Sequence, residues 1–327
     1  MGIKPRCIDH GFMFGSKRAI LIWMSADALP TEDRSQPDED RRVALPAILL
    51  LATCASTFWV GAVDWKPISH LDALFRGAWE VIDWRQGLLY MVVVLAVLLT
   101  HEMGHFLMAL RHRIPASLPY FIPVPVIPFG TLGAVIGMEG SRANRRELFD
   151  LGVAGPLAGL AVTLPIAWIG IRMLKPDPPM PGEICFHNPL LLQCMIAWLR
   201  PDFADPSRFY LGQFNPYLMA GWVGMFVTGL NMLPISQFDG GHVAYALLGR
   251  RRAHLLARGL LIGAIPFVLY NELYGWVILL VLVVLLGVDH PPTADDRCKM
   301  GWLRLAIGWM AILIPVFCFP PMGITPQ

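Results

Sequence analysis

Apolar residues along this chain fall into blocks of about twenty rather than into alternating faces. A hydrocarbon core about 30 Å thick takes roughly 20 apolar residues for one helical crossing, whereas a soluble fold shows a helix or strand period. Seven blocks read as spanning segments, at roughly 43–63, 87–110, 148–172, 216–234, 253–270, 274–290 and 301–319. The pattern predicts an all-α polytopic membrane protein of about seven transmembrane helices, with a short interfacial stretch at 240–249 after the fourth. Residues 114–140 are apolar enough to enter a bilayer, yet Pro115, Pro119, Pro123, Pro125 and Pro128 exclude a helix. Non-helical backbone survives at that depth only against protein or a wet cavity. A re-entrant hairpin or small sheet between the second and third helices is the expectation. Residues 1–42 read as a loosely ordered tail and 43–320 as one membrane-embedded domain. That domain has a core of about 87–250, an external loop at 176–215 and C-terminal helices at 253–319.

Composition supports this class. The chain has 327 residues, 55% hydrophobic and only 15% charged, where soluble domains carry roughly 25% charged residues. A net charge of +2 gives no reason to expect a nucleic-acid partner. Basic residues are unevenly placed: with the N-terminus inside, nineteen of the 26 lie on the inner side. By the positive-inside rule this predicts a cytoplasmic N-terminus and an external C-terminus. Lys17 and Arg18 precede an apolar run at 19–24 that is too short for a signal peptide, and Met13 and Met24 are available as alternative starts. The six cysteines show no C-x-x-C spacing. Cys185 and Cys194 share one loop and could pair in an oxidising compartment; two unpaired thiols are the other reading.

Chemistry concentrates at two places. The second apolar block ends in His101-Glu102-Met103-Gly104-His105. At 3.6 residues per turn, His101 and His105 share a helix face and can grip one zinc ion, with Glu102 beside them as a general base. Ionisable residues inside a membrane helix are functional by default; the bland reading is two histidines snorkelling to the headgroups beside Arg111. A catalytic zinc needs a third protein ligand and an open position. Asp239 is the candidate: Pro234 would interrupt the helix, and Gly240 and Gly241 would loosen the turn that swings Asp239 inward. Alone it reads as a loop carboxylate; with the histidine pair it reads as a ligand. His242 is a competing ligand or an interfacial polar residue. Asn231 could hydrogen-bond a substrate backbone or an oxyanion.

His101-Glu102-x-x-His105 together with Asn231-x-x-Pro234-x-x-x-x-Asp239-Gly240 resembles the site-2 protease family of intramembrane metalloproteases. Ala154-Gly155-Pro156-Leu157-Ala158-Gly159, Phe129-Gly130 and Arg145-Arg146-Glu147-Leu148-Phe149-Asp150 are also similar to that family. The likeness covers roughly 87–250, is weaker through His290-Pro291-Pro292, and is greatest to the compact plastid and prokaryotic branch without a PDZ insert. It implies one zinc ion held by His101, His105 and Asp239, zinc-bound water activated by Glu102, and a multi-pass protein of the cell membrane if the source is prokaryotic. The active site would lie towards the cytoplasmic side. The implied partners are the lipid bilayer and a substrate that is a single-pass membrane protein or membrane stub. Small residues in the Ala154–Gly159 run suit close helix packing. The rival from another class is a non-catalytic metal-binding membrane protein or transporter; retention of Glu102, which binding alone does not need, speaks against it.

Overall fold

A computed structural model of the chain describes residues 39–69, 80, 82–138, 140–174, 183–203 and 205–325. Two compact units divide the chain, Met1–Ala44 and Leu45–Gln327. The tail expected at 1–42 lies outside the described residues up to 38; helix α1 (Glu39–Ala62) already begins at 39.

Every expected apolar block is helical. Beyond α1, α2 is Trp84–His112, α3 is Arg145–Arg172 and α4 is Leu190–Leu199. Helices α5 (Pro216–Asn231), α6 (Asp239–Leu248) and α7 (Arg250–Tyr270) follow, then α8 (Val277–Leu286), α9 (Trp302–Ala311) and α10 (Ile314–Cys318). Among the described residues, four helices are long and apolar enough to cross a membrane: α1 from Val43, α2, α3 and α7. The blocks at 216–234, 274–290 and 301–319 form shorter helices, so a count of seven crossings does not follow from helix length.

Local signals set the helix ends. Asp83 accepts from the backbone N–H groups of Arg85 and Gln86 at the start of α2. Asn144 and Glu147 form a reciprocal capping box at the start of α3. Asn215 caps α5, with Pro216 in its first turn, where a missing N–H is harmless. Arg113 closes α2 in the left-handed region at φ 57°.

The Pro/Gly-rich stretch contains two short antiparallel strands, β1 (Tyr120–Pro123) and β2 (Thr131–Val135), with a register shift between Phe121 and Pro123. Their connecting turn is pinned. The Tyr90 hydroxyl donates to the Phe129 carbonyl at 2.8 Å, and the Ser56 hydroxyl donates to the Gly130 carbonyl. Gly130 has φ +74°, and a Cβ there would lie 2.8 Å from the Thr57 Cα, so both conformation and space require glycine. Tyr90 stands 22 residues before His112, about 33 Å along a helix at 1.5 Å per residue. The hairpin therefore runs beside most of α2. The Phe129 ring stacks on Trp222 of α5, and Trp222 on Phe226, within the main apolar core.

The stretch read as an external loop is folded where described. Strands β3 (Cys185–His187), β4 (Arg208–Tyr210) and β5 (Ile324–Thr325) form a sheet in the order β4-β3-β5, which ties this region to the end of the chain. Helix α4 lies between β3 and β4. Cys185 is buried on β3 and Cys194 lies exposed on α4; both thiols are free.

Candidate metal centre

The His101–His105 pair lies on α2 where that helix crosses α3. Glycines make the crossing close. A Cβ on Gly104 would sit 2.6 Å from the Ala154 carbonyl oxygen, and one on Gly159 would sit 3.0 Å from His101 Nδ1. A Cβ on Gly155 would overlap His105 Nε2. Packing alone was the expected role of the Ala154–Gly159 run; the structure adds that Gly155 and Gly159 make the space in which the two imidazoles stand. A signal for this was present in the sequence, since the glycines repeat the four-residue spacing of the histidines.

Asp239 arrives from α6. Helix α5 stops at Asn231, and the chain turns through Ser236 at φ 52°, where a non-glycine residue is uncommon. Gly240 and Gly241 were expected to loosen this turn. Instead they lie inside the first turn of α6, and Cβ atoms on them would collide with the carbonyl oxygens of Met232 and Ser236. They allow close approach rather than flexibility. His242 is not among the grouped metal-binding side chains; its Nδ1 lies 2.6 Å from His290 Nε2.

His101 Nε2 and His105 Nε2 are 3.3 Å apart, and Asp239 Oδ2 lies 3.3 Å from the first and 3.2 Å from the second. His105 Nδ1 is 2.9 Å from the Leu151 carbonyl oxygen, which can only accept. Nδ1 therefore carries a proton, which leaves Nε2 as the nitrogen that faces the other two donor atoms. Asp239 Oδ2 is buried with no hydrogen-bond partner. Three donor atoms from two helices thus converge on one point. Zinc bonds of about 2.0–2.2 Å in tetrahedral geometry require ligand atoms about 3.3–3.6 Å apart. These three atoms form the face of such a tetrahedron and fit zinc. The side chains are almost wholly enclosed: His101, Glu102, His105 and Asp239 are 2%, 5%, 4% and 8% exposed. Asn231 Nδ2 stands 3.5 Å from His101 Nε2, at the edge of the cluster.

The model of Peptidase family M50 matches residues 89–266, more than half of the chain and all of this cluster. The chain belongs to Peptidase family M50. A relative named "Probable zinc metalloprotease EGY1, chloroplastic" in Arabidopsis thaliana is 27% identical over 70% of this chain and 42% of its own length. The protein of the same name in Oryza sativa subsp. japonica is 31% identical, over 69% of this chain and 39% of its own. "Probable zinc metalloprotease EGY2, chloroplastic" of Oryza sativa subsp. indica is 27% identical over 88% and 56%. The chain thus spans about half the length of the curated relatives it matches. No solved structure matches it. Family M50 membership agrees with the zinc-fitting cluster reached from geometry, and the matched region contains both halves of it.

Proposed function

We propose that this M50 chain is an intramembrane zinc metalloprotease. It hydrolyses a peptide bond within or beside the transmembrane segment of another membrane protein, a single-pass protein or membrane stub. The observation that carries this reading is the tetrahedral face of His101, His105 and Asp239, with both histidines on a helix long and apolar enough to cross a membrane. One zinc ion held there supplies Lewis acidity to the attacking water and to the carbonyl under attack. Glu102, next to His101 and almost wholly buried, takes the proton from that water and passes it to the leaving amine as the C–N bond breaks. The Asn231 amide donates to the carbonyl oxygen of the substrate as charge develops on it.

A helical substrate has its carbonyls already hydrogen-bonded, so it must unwind before cleavage. Among the described residues the β1–β2 pair has an unpaired edge on each side, which supports capture of the unwound segment by strand addition. The protein is multi-pass, in the cell membrane if the source is prokaryotic, with a cytoplasmic N-terminus. His105 lies seven residues, about 10 Å, before the basic end of α2 at Arg111, His112 and Arg113. That spacing supports a cluster towards the cytoplasmic side, with water entering from there.

The test is Glu102→Ala in detergent-solubilised protein with unfolded membrane-protein segments as substrate. Cleavage falls by about 10²–10⁴-fold, while bound zinc stays near one per chain. Unchanged cleavage would remove Glu102 from its role. Zinc binding by the wild-type protein without turnover of any membrane segment would instead favour a non-catalytic metal-binding protein.

A further inference from the structure

The ligand Asp239 is bracketed by a segment outside the metal centre. Three residues before it, the Ser236 N–H donates to the Val288 carbonyl at 3.0 Å, and the Ser236 hydroxyl donates to the Gly287 carbonyl at 2.5 Å. Three residues after it, His242 Nδ1 lies 2.6 Å from His290 Nε2. Both sides of Asp239 are therefore tied to the same four residues, 287–290. That strap is itself held. The His290 carbonyl accepts from His254 Nε2 of α7 at 3.0 Å, and the Tyr245 ring lies against the His290 ring with centroids 4.7 Å apart. Farther on, the Ala294 N–H donates to the Ala143 carbonyl, and the Arg145 N–H to the Asp295 carbonyl. The strap thus laces the Asp239 segment to the start of α3, the helix that shelters the two histidines.

Hydrogen-bond direction fixes what His290 does. Its Nδ1 is 2.5 Å from the Pro291 carbonyl oxygen, which can only accept, so Nδ1 donates. His290 is only 6% exposed, and a neutral ring that donates from Nδ1 offers a lone pair at Nε2. His242 must then donate from Nδ1, and its ring orientation follows. We propose that His290 is a positioning residue for the metal ligand Asp239, acting through the ring of His242 and the first turn of α6. The inference rests on reading His101, His105 and Asp239 as the zinc ligands. Outer partners that orient ligands typically alter metal affinity by 10–100-fold when removed.

The experiment compares full-length wild type, His290→Ala and His290→Gln in detergent. Zinc affinity is measured by chelator competition, the absorption spectrum with cobalt(II) in place of zinc, and thermal unfolding of the metal-stripped proteins. Gln keeps a polar group that reaches the site of Nε2. His290→Ala should bind zinc 10–100-fold more weakly with an altered cobalt spectrum. His290→Gln should regain most of the affinity, and the metal-stripped proteins should unfold at similar temperatures. Wild-type affinity and an unchanged spectrum in His290→Ala would overturn the proposal. So would loss of metal-free stability that Gln does not restore, because His290 would then be a general packing residue. Asp239→Ala is the separate control: if it retains zinc at wild-type affinity, the ligand assignment fails rather than the role of His290.

Discussion

Two regions of this molecule use glycine in opposite ways. Where α2, α3 and α5 meet, each helical glycine is a point of contact. A Cβ on Gly104 would meet a backbone carbonyl, one on Gly155 the Nε2 nitrogen of His105, and one on Gly221 the Ala167 Cβ at 2.8 Å. Along α7, Gly259 and Gly263 would have nothing within 4 Å of an added Cβ. Of the apolar stretch of α7, 17% is buried, against 44% for α2. Small residues between membrane helices are therefore not interchangeable spacers. In the core they set the separation at which ligands from different helices can share one ion. On α7 they leave a surface that nothing in this chain covers among the described residues.

Substitution of these glycines tests the contrast, and the largest effect belongs to Gly155→Ala. The added methyl occupies the place of His105 Nε2, and His105 cannot swing aside without losing its bond to the Leu151 carbonyl. Stoichiometric zinc is lost and proteolysis falls at least as far as in Glu102→Ala, as metal analysis and cleavage assays on the purified protein can show. Retention of zinc there would mean that the crossing of α2 and α3 yields more easily than close-packed interiors do.

Gly221→Ala comes next. It overpacks α5 against α3 away from the ligands, and overpacking costs about 1–3 kcal/mol. The thermal midpoint drops while zinc affinity stays within a few-fold of wild type. A matching drop in affinity would show that the ligands sense the whole α3–α5 interface.

Gly263→Ala is the smallest. With no atom to strike and a better helix former in place, stability rises by about 1 kcal/mol or stays level. Measured stability as low as that of Gly221→Ala would break the comparison, because this face of α7 would then have to be covered in the working protein.

Much of the architecture was legible because it rests on short-range rules. Block length marked the helices α1, α2, α3 and α7, and the capping residues Asp83, Asn144 and Asn215 mark the starts of α2, α3 and α5. The Pro-rich segment could not be helical, and it holds the β1–β2 pair. The stretch 176–215 was read as a loop because three-residue strands carry no readable period. Its sheet also depends on β5, more than a hundred residues later. Gly240 and Gly241 suggested a loose turn, since glycine signals both freedom and close approach, and only the neighbouring carbonyls of Met232 and Ser236 distinguish them.

By itself the sequence determined that an apolar helix carries His101, Glu102 and His105 with both imidazoles on one face, because four residues span about one turn wherever a helix forms. It also offered Asp239 as a third ligand and His242 as its competitor. To decide which of the two stands beside the histidines took the tertiary structure. The packing of α6 against α3 brings Asp239 Oδ2 to 3.2–3.3 Å from both Nε2 atoms, while the strap at 287–290 engages His242 through His290. Which carboxylate or imidazole reaches a metal depends on how separate helices pack, and spacing along the chain does not encode that distance.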